Sequence, residues 1–143
     1  MSDSINLSLT KLSIAIRIAN EKIMCEIGLH AGQAQILMSL WEKDPQSQAE
    51  LVKNLCIAAP TVNKMVKKLV ESDFVVPEKC SNDKRLVKVK LTTKGEKIKQ
   101  DVKSQQKKLE KIIYKGFSET ERLSLPILLE KVYVNLSNQP YNS

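Results

Sequence analysis

The chain has 143 residues, 42% hydrophobic and 27% charged, enough apolar content for one packed domain. Aromatic residues make up only 4%, so a core must come from Leu, Ile and Val; four glycines and five prolines are too few for a turn-rich all-β or collagen-like chain. The net charge of +7 is concentrated, because Lys53 to Lys99 holds 12 Lys and Arg against 5 Asp and Glu while the rest of the chain holds 11 of each sign.

Leu9, Leu12, Ile16, Ala19 and Ile23 recur at three- and four-residue steps, one apolar stripe on a first helix. Ile14 and Ile18 widen that stripe beyond the needs of a surface helix, which predicts a second buried face against a partner subunit; Gly28 is the stop. A second helix is predicted from about Ala31 to Lys43, with Ala34, Leu37, Leu40 and Trp41 inward, ended by Asp44-Pro45. Ser47 with Glu50 three residues on reads as a capping box for a short third helix, Gln48 to about Leu55, burying Ala49, Val52 and Leu55. Pro60 suits the first turn of a fourth helix reaching about Ser72, with Val62, Val66, Leu69 and Val70 inward. Thr61, Asn63, Lys64, Lys67 and Lys68 then point elsewhere. Two helices joined by a short turn, the second with a polar and basic free face, form a helix-turn-helix pattern.

A hairpin follows. Phe74-Val75-Val76 is one β-type run, and Leu86, Val87, Val89 and Leu91 alternating with Lys88 and Lys90 is the other. Polar residues 78–85 separate them, with Ser81-Asn82-Asp83 as turn residues. A charged hairpin directly after a helix-turn-helix is a wing. Thr92 or Thr93 caps a long fifth helix ending at Gly116, and Ser118 with Glu121 caps a sixth that buries Leu125, Leu128, Leu129, Val132 and Leu136 and is bent by Pro126. The order predicts a mainly α (α+β) fold. A winged helix-turn-helix lobe spans residues 31–109, with its recognition helix at about 58–72 and its wing at about 74–91. Residues 1–30 and 110–143 form a helical dimerisation region.

No apolar run approaches the ~20 residues that span a bilayer, and Met1 to Ile5 lack the basic start and apolar stretch of a signal peptide. The expected compartment is the cytoplasm, without membrane contact. Cys25, Cys56 and Cys80 are odd in number and widely spaced, against a disulfide framework or zinc finger, and the single His30 leaves no His-Cys metal cluster within one chain. No nucleophile–base pair, phosphate-cradling glycine loop or metal signature is present. Neither an enzyme nor a cofactor is expected.

The stretch Pro60-Thr61-Val62-Asn63-Lys64-Met65-Val66-Lys67-Lys68-Leu69-Val70 resembles the recognition helix of MarR-type regulators. Residues 82–95, Asn-Asp-Lys-Arg-Leu-Val-Lys-Val-Lys-Leu-Thr-Thr-Lys-Gly, resemble that family's wing motif, and Gly32-Gln33-Ala34-Gln35 resembles the start of its second helix. The resemblance covers essentially the whole chain. It implies a homodimer that places recognition helices in major grooves and wings in minor grooves of an inverted-repeat operator on double-stranded DNA. Repression is the commoner role in this family, with release by small aromatic or anionic effectors or by cysteine oxidation. Two positions depart from the pattern. Asp73 stands where a glycine usually ends the recognition helix, and Pro77 stands where a polar residue is common, so that strand must be short or at an edge.

Arg85 is the leading candidate for a minor-groove contact, with Asp83 holding its guanidinium and Lys84 beside it. Thr61, Asn63 and Lys64 are placed to meet base edges, Asn suiting adenine and Lys suiting guanine; Lys67 and Lys68 suit phosphates. Ser47 and Gln48 meet a phosphate through helix N-terminal N–H groups. Lys88, Lys90, Lys94 and Lys97 read as a solvated basic face. Cys80, near Lys79, Lys84 and Arg85, is the candidate redox thiol, while Cys25 and Cys56 are expected to pack as small apolar residues. His30 reads as a boundary between helices and Trp41 as core. The alternatives to a DNA-binding regulator are a winged-helix module binding an acidic protein or RNA, and a cysteine-based redox-sensing regulator.

Overall fold

The structure is a computed structural model that describes residues 4–79 and 87–140. In chain order the described elements are α1 (Ile5–Cys25), α2 (Ala31–Glu42), β1 (Gln46–Ser47), α3 (Gln48–Leu55), α4 (Ala59–Glu71), β2 (Val75–Lys79), β3 (Val87–Leu91), α5 (Thr93–Lys97), α6 (Lys99–Ile113) and α7 (Glu119–Ser137). They fall into two compact units, Met1–Leu109 and Glu110–Ser143.

Local chemistry sets most of the boundaries in the first unit. Ser4 Oγ accepts from Leu7 N–H at 3.2 Å and starts α1. Gly28, at φ +78°, reverses the chain beyond its end. Ser47 Oγ accepts from Glu50 N–H at 3.1 Å and starts α3, but the Glu50 carboxylate pairs with Lys43 Nζ at 3.3 Å. Ala58 stands at the N-cap of α4 with Pro60 in the first turn, where a missing N–H costs nothing. Thr92 Oγ1 accepts from Gly95 N–H at 3.0 Å and starts α5.

The core gathers Ile23, Met24 and Leu29 from α1 and the turn after it, Ala34, Ile36, Leu37 and Leu40 from α2, Leu51 from α3, and Val62, Val66 and Leu69 from α4. Phe74, Val75, Val89 and Leu91 close it from the hairpin, and Val102 and Leu109 from α6. The inward face of α4 is the one the periodicity predicts, with Val70 half-buried at its margin. That of α3 is not: Leu51 is fully buried, Val52 and Leu55 are half-buried, and Ala49 is exposed. Eight residues carry too few repeats to fix the phase of a helix, and packing against α2 and α4 chose the larger side chain.

Gln46 is a polar residue with no exposure. Its Nε2 donates to Ser39 O at 2.9 Å and Lys43 O at 2.7 Å, and its Oε1 accepts from Asn54 Nδ2 at 2.9 Å, so burial leaves its amide satisfied. Gln46 and Ser47 form the two-residue β1, which pairs antiparallel with β3 (Gln46 opposite Val89, Ser47 opposite Lys88). The sheet order is β1-β3-β2, so the hairpin gains a third strand that the sequence reading lacked. Pro77 falls within β2, which is an edge strand, as a residue without an N–H requires.

Asp73 adopts φ +64°, filling the left-handed position at the end of α4 without glycine. Cys56 does the same at the end of α3, at φ +54°. The predicted long fifth helix is divided at Ile98 into α5 and α6. Trp41 is half-buried and donates from Nε1 to Gly95 O at 2.9 Å, tying α2 to α5.

In the second unit, Ser118 and Glu121 form the predicted capping box: Glu121 N–H donates to Ser118 Oγ at 3.2 Å and Ser118 N–H to Glu121 Oε1 at 2.9 Å. Tyr114 and Phe117 meet edge to face. The helix continues through Pro126, and none of its 19 residues is buried. Leu125 and Val132 are half-buried, and Leu128, Leu129 and Leu136 are exposed, where the sequence reading had all five inside.

Candidate nucleic-acid interface

Because Val62, Val66 and Leu69 anchor one side of α4, the helical repeat turns Lys64 and Lys67 to the opposite side. Thr61 and Lys68 flank that outward face on one edge and Asn63 on the other. Thr61, Asn63, Lys64 and Lys67 are exposed, and Lys68 is half-buried. All five residues singled out on this helix therefore lie off its core face.

A cleft of about 380 Å³ joins this helix to its neighbours, lined by Gln48 from the start of α3, Asn63 and Lys67 from α4, and Pro77, Val87 and Val89 from the sheet. Gln48, at the first position of α3, thus stands on the same side as Asn63 and Lys67. Ser47 is half-buried and spends its hydroxyl oxygen on capping α3. Its side chain therefore holds the α3 N-terminus in place.

The two hairpin strands run in register from Val75 opposite Leu91 to Lys79 opposite Val87, with Glu78 and Lys88 facing each other across the pair. Cys80, Asp83, Lys84 and Arg85 lie outside the described residues. Of the other basic residues, Lys94 has a structural partner on each side: its Nζ donates to Ser72 O at 2.7 Å and sits 4.5 Å from the centre of the Phe74 ring. It clamps the end of α4 to the start of α5. The Lys43 ammonium holds the Glu50 carboxyl below the usual carboxylate range, so a negative charge persists at the first turn of α3.

A second cleft, of about 480 Å³, lies between α1, α2 and α4. Ile16, Ile36, Ile57 and Met65 give it apolar walls, and Arg17 contributes a cation that sequence reasoning had not singled out. Gly32 lies close to α4, where a Cβ would make a tight 3.2 Å contact with the flexible Met65 side chain.

Cys25 and Cys56 are both exposed, not packed as small apolar residues; each sits at a helix terminus, where the core ends. Partial desolvation and a hydrogen bond to Glu21 push the Cys25 thiol up, which disfavours the thiolate that a redox sensor needs. The single histidine does meet a cysteine in space: Glu21, Cys25 and His30 come together where α1 turns into α2. The linear spacing hides this, because the turn at Gly28 folds His30 back over the last turn of α1.

The MarR family model matches residues 29–87, from just before α2 to the first residue of β3. HTH-type regulator YwoH of Bacillus subtilis is 30% identical over 104 residues, which cover 73% of this chain and 74% of YwoH. The chain belongs to the MarR family of winged helix-turn-helix transcriptional regulators. HTH-type transcriptional regulator MgrA of Staphylococcus aureus is 27% identical over 116 residues, covering 81% of this chain and 78% of MgrA. The crystal structure of a MarR transcriptional regulator from Methanosarcina mazei Go1 superposes with a TM-score of 0.81 at 27% identity, covering 92% of this chain and 94% of that one. The winged-helix fold read from the hairpin and helix-turn-helix is therefore the MarR fold. No described helix is long and apolar enough to cross a membrane.

Proposed function

We propose that this MarR-family protein binds a palindromic double-stranded DNA operator as a homodimer and represses transcription from it. The observation that carries the reading is the outward face of α4, where Lys64 and Lys67 project between Thr61 and Asn63, with Gln48 at the adjoining helix start. Thr61, Asn63 and Lys64, in the first two turns of α4, read base edges in the major groove; Lys67 and Lys68 neutralise phosphates. The α3 N-terminus, set by Ser47 and Gln48, receives a further phosphate. Arg85 is the cation that enters the neighbouring minor groove, with Asp83 holding its guanidinium and Lys84 beside it. Residues 31–109 form the DNA-binding lobe, and residues 1–30 and 110–143 the dimerisation region. Exposed Ile5, Leu12, Ile14 and Ile18 on α1 and Leu123, Ile127, Leu128 and Leu129 on α7 support that assignment.

Selection of bound sequences from random duplexes tests the reading. Enrichment of an inverted repeat is the expected result. Lys67→Ala then weakens binding to specific and random duplexes alike and lowers the slope of log K against log salt by about 0.9 for the lost phosphate contact. Lys64→Ala and Arg85→Ala lower affinity for the selected site most. Failure to enrich any repeat favours instead a basic module for an acidic protein or RNA.

A second cleft supports release by an effector. The space between α1, α2 and α4 is of small-molecule size, with apolar walls and the Arg17 guanidinium, a combination suited to an aromatic acid. Titrating the DNA complex with aromatic carboxylic acids is expected to weaken it in the parent protein and not in Arg17→Gln.

A further inference from the structure

At the corner between α1 and α2 three different ligand groups converge. Glu21 and Cys25 are four residues apart on α1 and so share a face. Gly28 turns the chain, and His30 then occupies the N-cap of α2. His30 Nδ1 lies 2.6 Å and Cys25 Sγ 3.5 Å from the same atom, Glu21 Oε1, and the three ligand atoms lie within 4.8 Å of one another. The other carboxylate oxygen, Oε2, accepts Ala31 N–H at 3.0 Å. That bond fixes the carboxylate so that Oε1 faces the thiol and the imidazole, as outer-sphere partners orient ligands in metal sites.

An acid–imidazole pair would account for Glu21 and His30, but it leaves the thiol only a weak hydrogen bond to Glu21 Oε1 at 3.5 Å. One thiolate, one imidazole and one carboxylate together match the ligand preferences of zinc and similar borderline divalent ions, and do not match magnesium or calcium. Tetrahedral zinc, with bonds of about 2.0–2.3 Å, sets its ligand atoms about 3.3–3.6 Å apart. The Cys25–Glu21 separation already meets that spacing. The His30–Glu21 pair must widen by less than about 1 Å, and the Cys25–His30 separation, which lies within 4.8 Å, must close toward the same spacing, both by rotation of side chains at the exposed corner. Cys25 and His30 are exposed, which leaves a fourth position open to solvent.

We propose that Glu21, Cys25 and His30 form a three-ligand site for a divalent borderline metal ion, of which zinc is the type, that ties α1 to α2. On binding, the Cys25 S–H bond breaks, a sulfur–metal bond forms and the proton passes to solvent. Neutral His30 binds through Nδ1 with its proton on Nε2, and no electrons are transferred. Glu21 also lines the Arg17 cleft, so the bound ion stiffens the edge of two of its walls. The site stands or falls independently of the DNA-binding reading.

Cobalt titrated into the reduced full-length chain, read by absorption and then displaced with zinc, is the test. The expected result is a thiolate-to-cobalt charge-transfer band that saturates at one ion per chain and disappears on adding zinc. Cys25→Ser abolishes the band, His30→Gln weakens binding by at least about tenfold, and Cys56→Ser and Cys80→Ser leave both unchanged. Zinc raises the melting temperature of the parent protein and not that of Cys25→Ser. Circular dichroism checks that each variant is folded; should Cys25→Ser unfold, His30→Gln decides alone. No charge-transfer band in the parent, a band that survives Cys25→Ser, or undiminished affinity in His30→Gln overturns the proposal.

Discussion

Gly95 shows how one residue can set a junction. A Cβ there would clash with Phe74 O, so α5 can lie against the connection between α4 and β2 only without a side chain at this position. Its own carbonyl receives the Trp41 indole. Helix propensity alone would favour Gly95→Ala by about 1 kcal/mol. The clash is with backbone, which cannot rotate away, and overpacking of that kind costs about 1–3 kcal/mol or more. Gly95→Ala is therefore expected to destabilise the protein, seen as a lower urea midpoint with an unchanged slope; a midpoint equal to or above that of the parent would refute the packing argument. The glycine was visible in the sequence as part of the wing-to-helix motif, but the need for it was not, because Phe74 is twenty-one residues away.

Among the elements, α1 and α6 are joined by charge as well as by apolar packing. Glu26 Oε2 takes Lys108 Nζ at 2.8 Å and Gln105 Nε2 at 2.8 Å, and Gln105 also donates to Ile23 O. The Lys108 ammonium, then Gln105, hold the Glu26 carboxyl below its ordinary value of 4.5. A depressed folded-state value means that this contribution is present above the unfolded pKa and is lost as pH falls through the folded one. Both side chains are about half exposed, so solvent and salt screen the effect and its size is small. Melting curves recorded between about pH 5 and pH 3 should fall less steeply for Glu26→Gln than for the parent. Parallel curves would show that the pair does not couple to folding.

The elements also mark where linear patterns stop being informative. The caps at Ser47 and Ser118 were legible because donor and acceptor lie three residues apart. The face of α4 was legible because thirteen residues repeat their apolar positions often enough. The face of the eight-residue α3 was not, and the choice of Leu51 over Ala49 came from packing against α2 and α4. β1 has two residues and no periodicity, and exists because Gln46 is held by Ser39, Lys43 and Asn54 in line with β3.

At the scale of the molecule, the exposed apolar residues of α1 and α7 bear on assembly. Ile127 is 61% exposed and Leu123 65%. In the twofold dimer proposed above, each substitution acts twice. Losing burial of a side chain worth about 1.5 kcal/mol or more at two sites corresponds to roughly 100-fold weaker association. Ile127→Glu is thus expected to shift sedimentation from dimer toward monomer at micromolar concentration, with helix content retained. An unchanged dimer would remove α7 from the proposed interface.

By itself the sequence determined the helix starts at Gln48 and Glu119, the inward face of α4, the alternation of β3 and the concentration of positive charge around them. Each of these depends on residues within a few positions of one another, so the physics is local and the spacing reveals it. Only the tertiary structure decided the burial of Gln46, the third strand, the exposure of Cys25 and Cys56, and the meeting of Glu21, Cys25 and His30. Those outcomes depend on groups brought together by turns and packing, and no linear spacing encodes the distance between them.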